Sequence, residues 1–158
     1  MISIKLNRKN PGGLKGFSKR LEALAGKEVA VGFPRGGSGL GNPHYKNGAS
    51  ILLVAVANNY GLGVPRRAFM ELAAEKIRKW FPEYMRTAMP DAEAGKVPIE
   101  DVLETAGSVG ADLVKEAIAD GGWEENSEAT KRKKGSDKPL IDTDAMRQAA
   151  TWQVRDRS

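Results

Sequence analysis

The stretch "VPIEDVLETAGSVGADLVKEAIADGG", residues 97–122, constrains the fold more than any other part of the chain. Pro98 suits the first helical position, where a backbone N–H would have no intrahelical partner anyway. Glu100 and Asp101 follow at the positive end of the helix dipole. Ile99, Val102, Leu103, Ala106, Gly110, Leu113 and Ala117 recur at three- and four-residue steps, which places them on one face of a helix over 98–120. Gly121 and Gly122 end it. A face this long needs a second layer to pack against, and the rest of the chain has to supply it.

The remaining segments predict that layer. "MISIKLN" alternates Ile2, Ile4 and Leu6 with polar residues, the pattern of a half-buried strand over 2–7. After "NPGG", apolar Leu14, Phe17, Leu21 and Leu24 mark a helix over 14–25 that Gly26 is placed to stop. "KEVAVGF", 27–33, reads as a strand with Val29, Val31 and Phe33 on one face. Residues 34–48 are too rich in Gly, Pro and Asn for regular structure and read as a flexible surface loop.

"SILLVAVANNYG" fits a buried strand or a buried helix, and Ser50 as a cap favours a helix over 50–60. Pro65 keeps the next segment extended. A helix over 67–88 carries Met70, Ala73, Ala74, Ile77, Phe81, Tyr84 and Met85 along one side, kinked or restarted at Pro82, and "MPDAEAGKV" reads as a turn. Residues 123–138 form a polar, flexible loop, 144–148 suit one helical turn, and 149–155 a last strand. The whole implies an α+β class: a small antiparallel sheet covered by helices, in a single domain over 1–158.

Composition removes several kinds of chemistry. The 158 residues contain no cysteine and one histidine, so thiolate zinc sites and cysteine nucleophiles are excluded and a histidine-relayed triad is hard to assemble. Hydrophobic residues at 41% and charged residues at 28% give an ordinary globular balance. A net charge of +5 favours nucleic acid or acidic protein surfaces. The start lacks a signal-peptide core and no apolar run reaches membrane-spanning length, so no membrane partner is expected and assembly is expected in a cytoplasm.

No motif completes a catalytic set, and the expectation is a non-enzyme without cofactor or metal. Gly36 and Gly41 have the separation of a phosphate-binding loop, but Asn42-Pro43 stand where a lysine and a hydroxyl would be needed. The loop reads instead as a contact element using Arg35, His44, Tyr45 and Lys46. His44 has no acidic partner at fixed spacing and reads as solvated. Asp142 and Asp144 are spaced to share a divalent ion, yet no second acidic cluster completes the oxygen set, and capping of the following turn explains them better. "KRKK", 131–134, is the densest positive run, largely offset by Glu124, Glu125 and Glu128. Pro65, Arg66, Arg67 and Phe69 suit docking on another chain, although the two arginines fit a solvated helix start equally well.

Three ordered stretches then carry a resemblance. "GSDKPLIDTDAMRQAATWQV" matches a pattern of Lys-Pro-Leu-hydrophobic-Asp-Thr-Gly, a leucine, a basic residue and a strand. "WEENSEATKRKKG" matches Trp…Ser-x-x-Thr-x-x-x-Lys at Trp123, Ser127, Thr130 and Lys134, and "NNYGLGVPRRAFM" matches Asn-x-(Tyr/Phe)-Gly followed by Pro-x-Arg-Pro-Phe. From about residue 28 to 155 the chain thus resembles the HK97 gp10-like family of tailed-bacteriophage tail-completion, neck or minor tail proteins. It departs from that pattern at Ala68, Glu125-Asn126, Asp144 and Ala149-Ala150.

The resemblance implies a structural virion protein at the head-proximal tail end or neck, forming a homo-oligomeric ring, often hexameric. It implies neck, connector and tail proteins as neighbours, and non-specific contact with DNA in the conduit. Under it, Arg35, Tyr45, Lys46, Pro65, Arg66, Arg67, Phe69, Trp123, Lys131 and Arg132 are the expected interface. Leu140, Ile141, Asp142 and Thr143 form a structural turn that places the last strand. The alternative from charge alone is a small basic nucleic-acid-binding protein.

Overall fold

A computed structural model describes residues 13–34, 44, 45, 47–120, 122, 123 and 145–157. Among these are five helices and one two-stranded antiparallel sheet: α1 (Gly13–Ala25), β1 (Lys27–Gly32), α2 (Ile51–Tyr60), α3 (Phe69–Glu93), α4 (Ile99–Asp120), α5 (Ala145–Ala149) and β2 (Thr151–Asp156). The class is α+β, as the patterning predicts. The strand expected over 2–7 lies outside the described residues.

α4 is the hub, packing against α1, α3, α5 and both strands. Its buried face is wider than the stripe read from sequence, because Gly107, Ala111, Val114 and Ile118 are buried as well, while Leu113 is only half-buried. Two clusters lie at opposite ends of the α3–α4 pair. One gathers Ile51 and Ala55 of α2, Phe69 and Ala73 of α3, Val114, Ala117 and Ile118 of α4, and Met146, Ala149 and Ala150 at the α5–β2 junction. The other joins Ala92 of α3 to Ile99 and Val102 of α4, with Leu24, Tyr84, Met85 and Met89 against them.

The sheet lies on α4 through two glycines. β1 and β2 pair with Val29 opposite Val154 and Val31 opposite Trp152. Those side chains share one face. A Cβ at Gly107 would stand 2.2 Å from Trp152 Cδ1, and one at Gly110 would stand 3.0 Å from Val31 Cγ2. Glycine at these two positions is what lets the strands approach the helix backbone. The indole N–H of Trp152 then donates to Glu104 Oε2 at 2.7 Å.

Several boundaries differ from the sequence reading. α3 continues through Pro82 and Pro90 to Glu93, where a turn was expected from Met89. Each proline removes one backbone donor, but Ala92 is fully buried against Ile99 and Val102, and that packing holds the last turn. The chain reverses only over Ala94–Val97, where Gly95 N–H donates to Ala92 O at 3.0 Å and Lys96 N–H to Asp91 O at 2.9 Å. β2 begins at Thr151 rather than 149, because Ala149 still belongs to α5 and Ala150 fills the core.

The end of the glycine-rich segment is also ordered, where a flexible loop was expected. His44 and Ser50 form an antiparallel bridge, Tyr45 N–H donates to Ala49 O at 2.9 Å, and Gly48 N–H donates to Tyr45 O at 2.8 Å. Asn47 Oδ1 accepts from Ala49 N–H at 3.1 Å, as turn asparagines commonly do. This turn delivers Ser50, which caps α2 by accepting from Leu53 N–H at 3.5 Å.

Candidate functional site

The segment expected to dock on another chain through Pro65, Arg66, Arg67 and Phe69 divides sharply in the structure. Phe69 is fully buried, edge-on to Phe33 with ring centroids 6.3 Å apart. Arg67 is buried too, its Nη1 donating to Asn58 Oδ1 at 2.7 Å and its backbone N–H to Asn58 O at 2.7 Å. Next door, Asn59 Oδ1 accepts from Met70 N–H at 3.0 Å, in the first turn of α3. Ala68 at the N-cap supplies no side-chain bond, so α2 caps α3 from a distance.

"NNYGLGVPRRAF" is therefore in large part an internal clasp. Asn58 and Asn59 satisfy the end of one helix and the start of the next. Arg67 and Phe69 are closed off from docking by that clasp, a correction to the surface role expected of them. Of the four residues expected to dock, Pro65 and Arg66 remain exposed, with Arg66 ion-paired to Glu71.

The other expected contact residues also separate. Tyr45 is half-buried and packs against the main core, as Val54 and Trp123 do. Trp123 is likewise half-buried, its Nε1–H donating to Ala117 O at 3.2 Å, so it closes the C-terminal end of α4. His44 is exposed. Arg35, Lys46, Lys131, Arg132, the turn Leu140, Ile141, Asp142 and Thr143, and Asp144 lie outside the described residues.

A different surface emerges that was not singled out from the sequence. α2 carries no charged residue and from Ile51 to Ala57 is apolar on all sides. Ile51 and Ala55 enter the core, while Leu53 is 69% exposed and Tyr60 63% exposed, with Val56 between them on the same stripe. Gly61 then adopts a left-handed conformation (φ 74°), and Leu62 N–H reaches back to Ala57 O at 2.8 Å. Leu62, 61% exposed, and Val64, 39% exposed, follow directly after this cap. Leu53, Val56 and Tyr60 share one face of α2 and Leu62 and Val64 come just beyond its end, so the exposed apolar side chains of 53–64 make up a strip on this side of the chain. The signal was present in sequence, since a helix hydrophobic all round is normally covered all round.

A second apolar surface lies between the two core clusters. Val29 and Val31 of β1, Ile77, Phe81 and Met85 of α3, and Leu103 and Ala106 of α4 line an open groove of about 470 Å³. Phe81 at its rim is exposed.

Charge is dispersed. Exposed ion pairs join Lys27 to Asp156 at 2.6 Å, Glu28 to Arg155 at 2.5 Å and Glu83 to Arg86 at 2.6 Å. The hydrogen bond to Asp156 and its charge raise the Lys27 pKa, and the Arg86 hydrogen bond lowers that of Glu83. These pairs lie at the surface, and pairs of this kind contribute little to stability. Among the described residues no three His, Asp or Glu side chains are grouped to hold a metal ion, and no helix is long and apolar enough to cross a membrane. The arrangement offers docking surfaces. Comparison with known protein families, with characterised proteins and with solved structures finds no match to this chain.

Proposed function

We propose that this chain is a structural subunit of a tailed-bacteriophage virion, assembling with copies of itself into a ring at the head-proximal tail end or neck, where it completes the tail and joins it to the head. The observation that carries this reading is the exposed strip Leu53–Val56–Tyr60–Leu62–Val64 on an uncharged helix. Contiguous apolar surface of this kind marks an interaction site rather than a solvated face. The three ordered stretches that resemble tail-completion and neck proteins supply the setting.

The test is electron microscopy of particles assembled with the gene for this chain deleted. Filled heads separated from tails, or tails of abnormal length, are the expected result. Normal joined virions would overturn the reading.

A second reading, direct nucleic-acid binding, draws on α3. Arg78 and Lys79 are exposed beside Trp80, a basic and aromatic mixture that single-strand binders use. Against it, Trp80 is already stacked on Tyr84 at 4.8 Å, and Lys76 and Arg86 are engaged by Glu116 and Glu83. Steeply salt-dependent DNA binding by the isolated chain would favour this second reading.

A further inference from the structure

We infer that the subunits associate head to tail, the α2 strip of one copy seating in the groove between β1, α3 and α4 of the next. This rests on the self-assembly proposed above and specifies which two surfaces meet.

The first argument is that, among the described residues, two apolar surfaces in different places have nothing packed on them. Along α4, the groove is built on Leu103, Ala106 and Gly110, whereas α2 packs at the level of Val114, Ala117 and Ile118. Ala106 and Ala117 are eleven positions apart along the helix, a rise of roughly 16 Å. A two-fold dimer joining strip to strip would cover α2 and leave the groove open, and one joining groove to groove would do the reverse. A heterologous contact covers both with one repeated interface and closes into a ring when its rotation allows, whereas a reciprocal two-fold pairing of strip and groove would stop at dimers, which sedimentation distinguishes.

The second argument is shape and chemistry. The strip is convex, lying on a helix, and it carries no charge from Ile51 to Val64. The groove is concave and its lining is mostly apolar, Val29, Val31, Leu103 and Ala106 among it, while its charged lining residues, Lys27 and Glu28, are already paired with Asp156 and Arg155. A partner bearing charge would gain nothing there. An uncharged helix face desolvates at little cost.

The third argument is area. An aromatic alone covers about 150–250 Å², so the five side chains of the strip at their exposures offer on the order of 500 Å². That is a large share of the roughly 800 Å² each partner contributes to a stable interface, with the polar rim still to be added.

Because the chain has no cysteine, disulfide trapping is clean. Leu53→Cys and Phe81→Cys would be made as separate full-length chains, mixed under mild oxidation and resolved by mass. Both positions are exposed in the subunit, so both variants should fold. The expected product is a mixed Leu53→Cys/Phe81→Cys dimer well in excess of either self-linked species, since a disulfide forms only where Cα atoms come within about 7 Å. Self-linked Leu53→Cys as the dominant product would overturn the head-to-tail contact while leaving self-assembly standing. A third chain carrying both Ile4→Cys and Phe81→Cys tests the remaining occupant. An efficient intramolecular link in it would assign the groove to the chain's own amino-terminal segment and overturn the proposal. Absence of any link, with monomers by sedimentation, would overturn both it and the self-assembly on which it rests.

Discussion

At the scale of single residues, Gly107 and Asn59 matter out of proportion to their size. The space a methyl at 107 would need is occupied by the indole of Trp152, 2.2 Å from the Cβ position. Gly107→Ala must push the indole off α4 and away from Glu104. The expected loss is about 1–3 kcal/mol, the usual range for overpacking, read from urea unfolding. In a double-mutant cycle with Trp152→Ala, the cost at 107 should largely vanish, because the two residues compete for one volume. Asn59→Ala removes the side-chain acceptor that caps Met70 N–H in the first turn of α3 and should cost about 1–2 kcal/mol. By contrast Glu71→Ala, which breaks the exposed pair with Arg66, should change stability by no more than about 1 kcal/mol. Equal losses at 59 and 71 would mean that the clasp is not a cap.

At the scale of elements, α3 and α2 each depart from what their own sequences favour. α3 runs for 25 residues across two internal prolines. Pro82 is exposed and deprives Arg78 O of its intrahelical donor. Pro82→Ala should therefore stabilise the protein, by up to about 3 kcal/mol if none of the proline's cost is relieved locally. The melting temperature and the urea midpoint should both rise, and a fall in either would show that Pro82 makes a packing contact of its own. α2 departs in the opposite way. Its apolar residues exceed what one buried face can hold, so Leu53, Val56 and Tyr60 are left in water. This excess follows from a ten-residue helix lying on the rim of a small core.

At the scale of the whole molecule, that excess becomes a statement about assembly. Leu53→Glu places a charge at the first position of the exposed strip, on a side chain 69% exposed. Unfolding free energy of the isolated subunit should stay within about 0.5 kcal/mol of the parent, while sedimentation should shift toward monomer. Retention of the oligomer with glutamate at 53 would remove α2 from the interface.

The sequence by itself determined what depends on neighbours along the chain. Periodicity and end signals located α2 with its Ser50 cap, α4 from Pro98 to the glycine pair, and β1 through alternating Val29 and Val31. The α+β class followed from their order. Composition excluded cysteine chemistry for the same reason, since it needs no geometry. Only tertiary structure decided where Arg67 and Phe69 point, because a partner nine residues back, Asn58, turns a docking segment inward. It alone decided that α3 survives Pro90, through the burial of Ala92 against Ile99 and Val102. It alone decided which side of the uncharged α2 faces water. Burial is set by contacts between distant segments, and a local pattern records only that a side chain is fit to be buried, not that the fold has room for it.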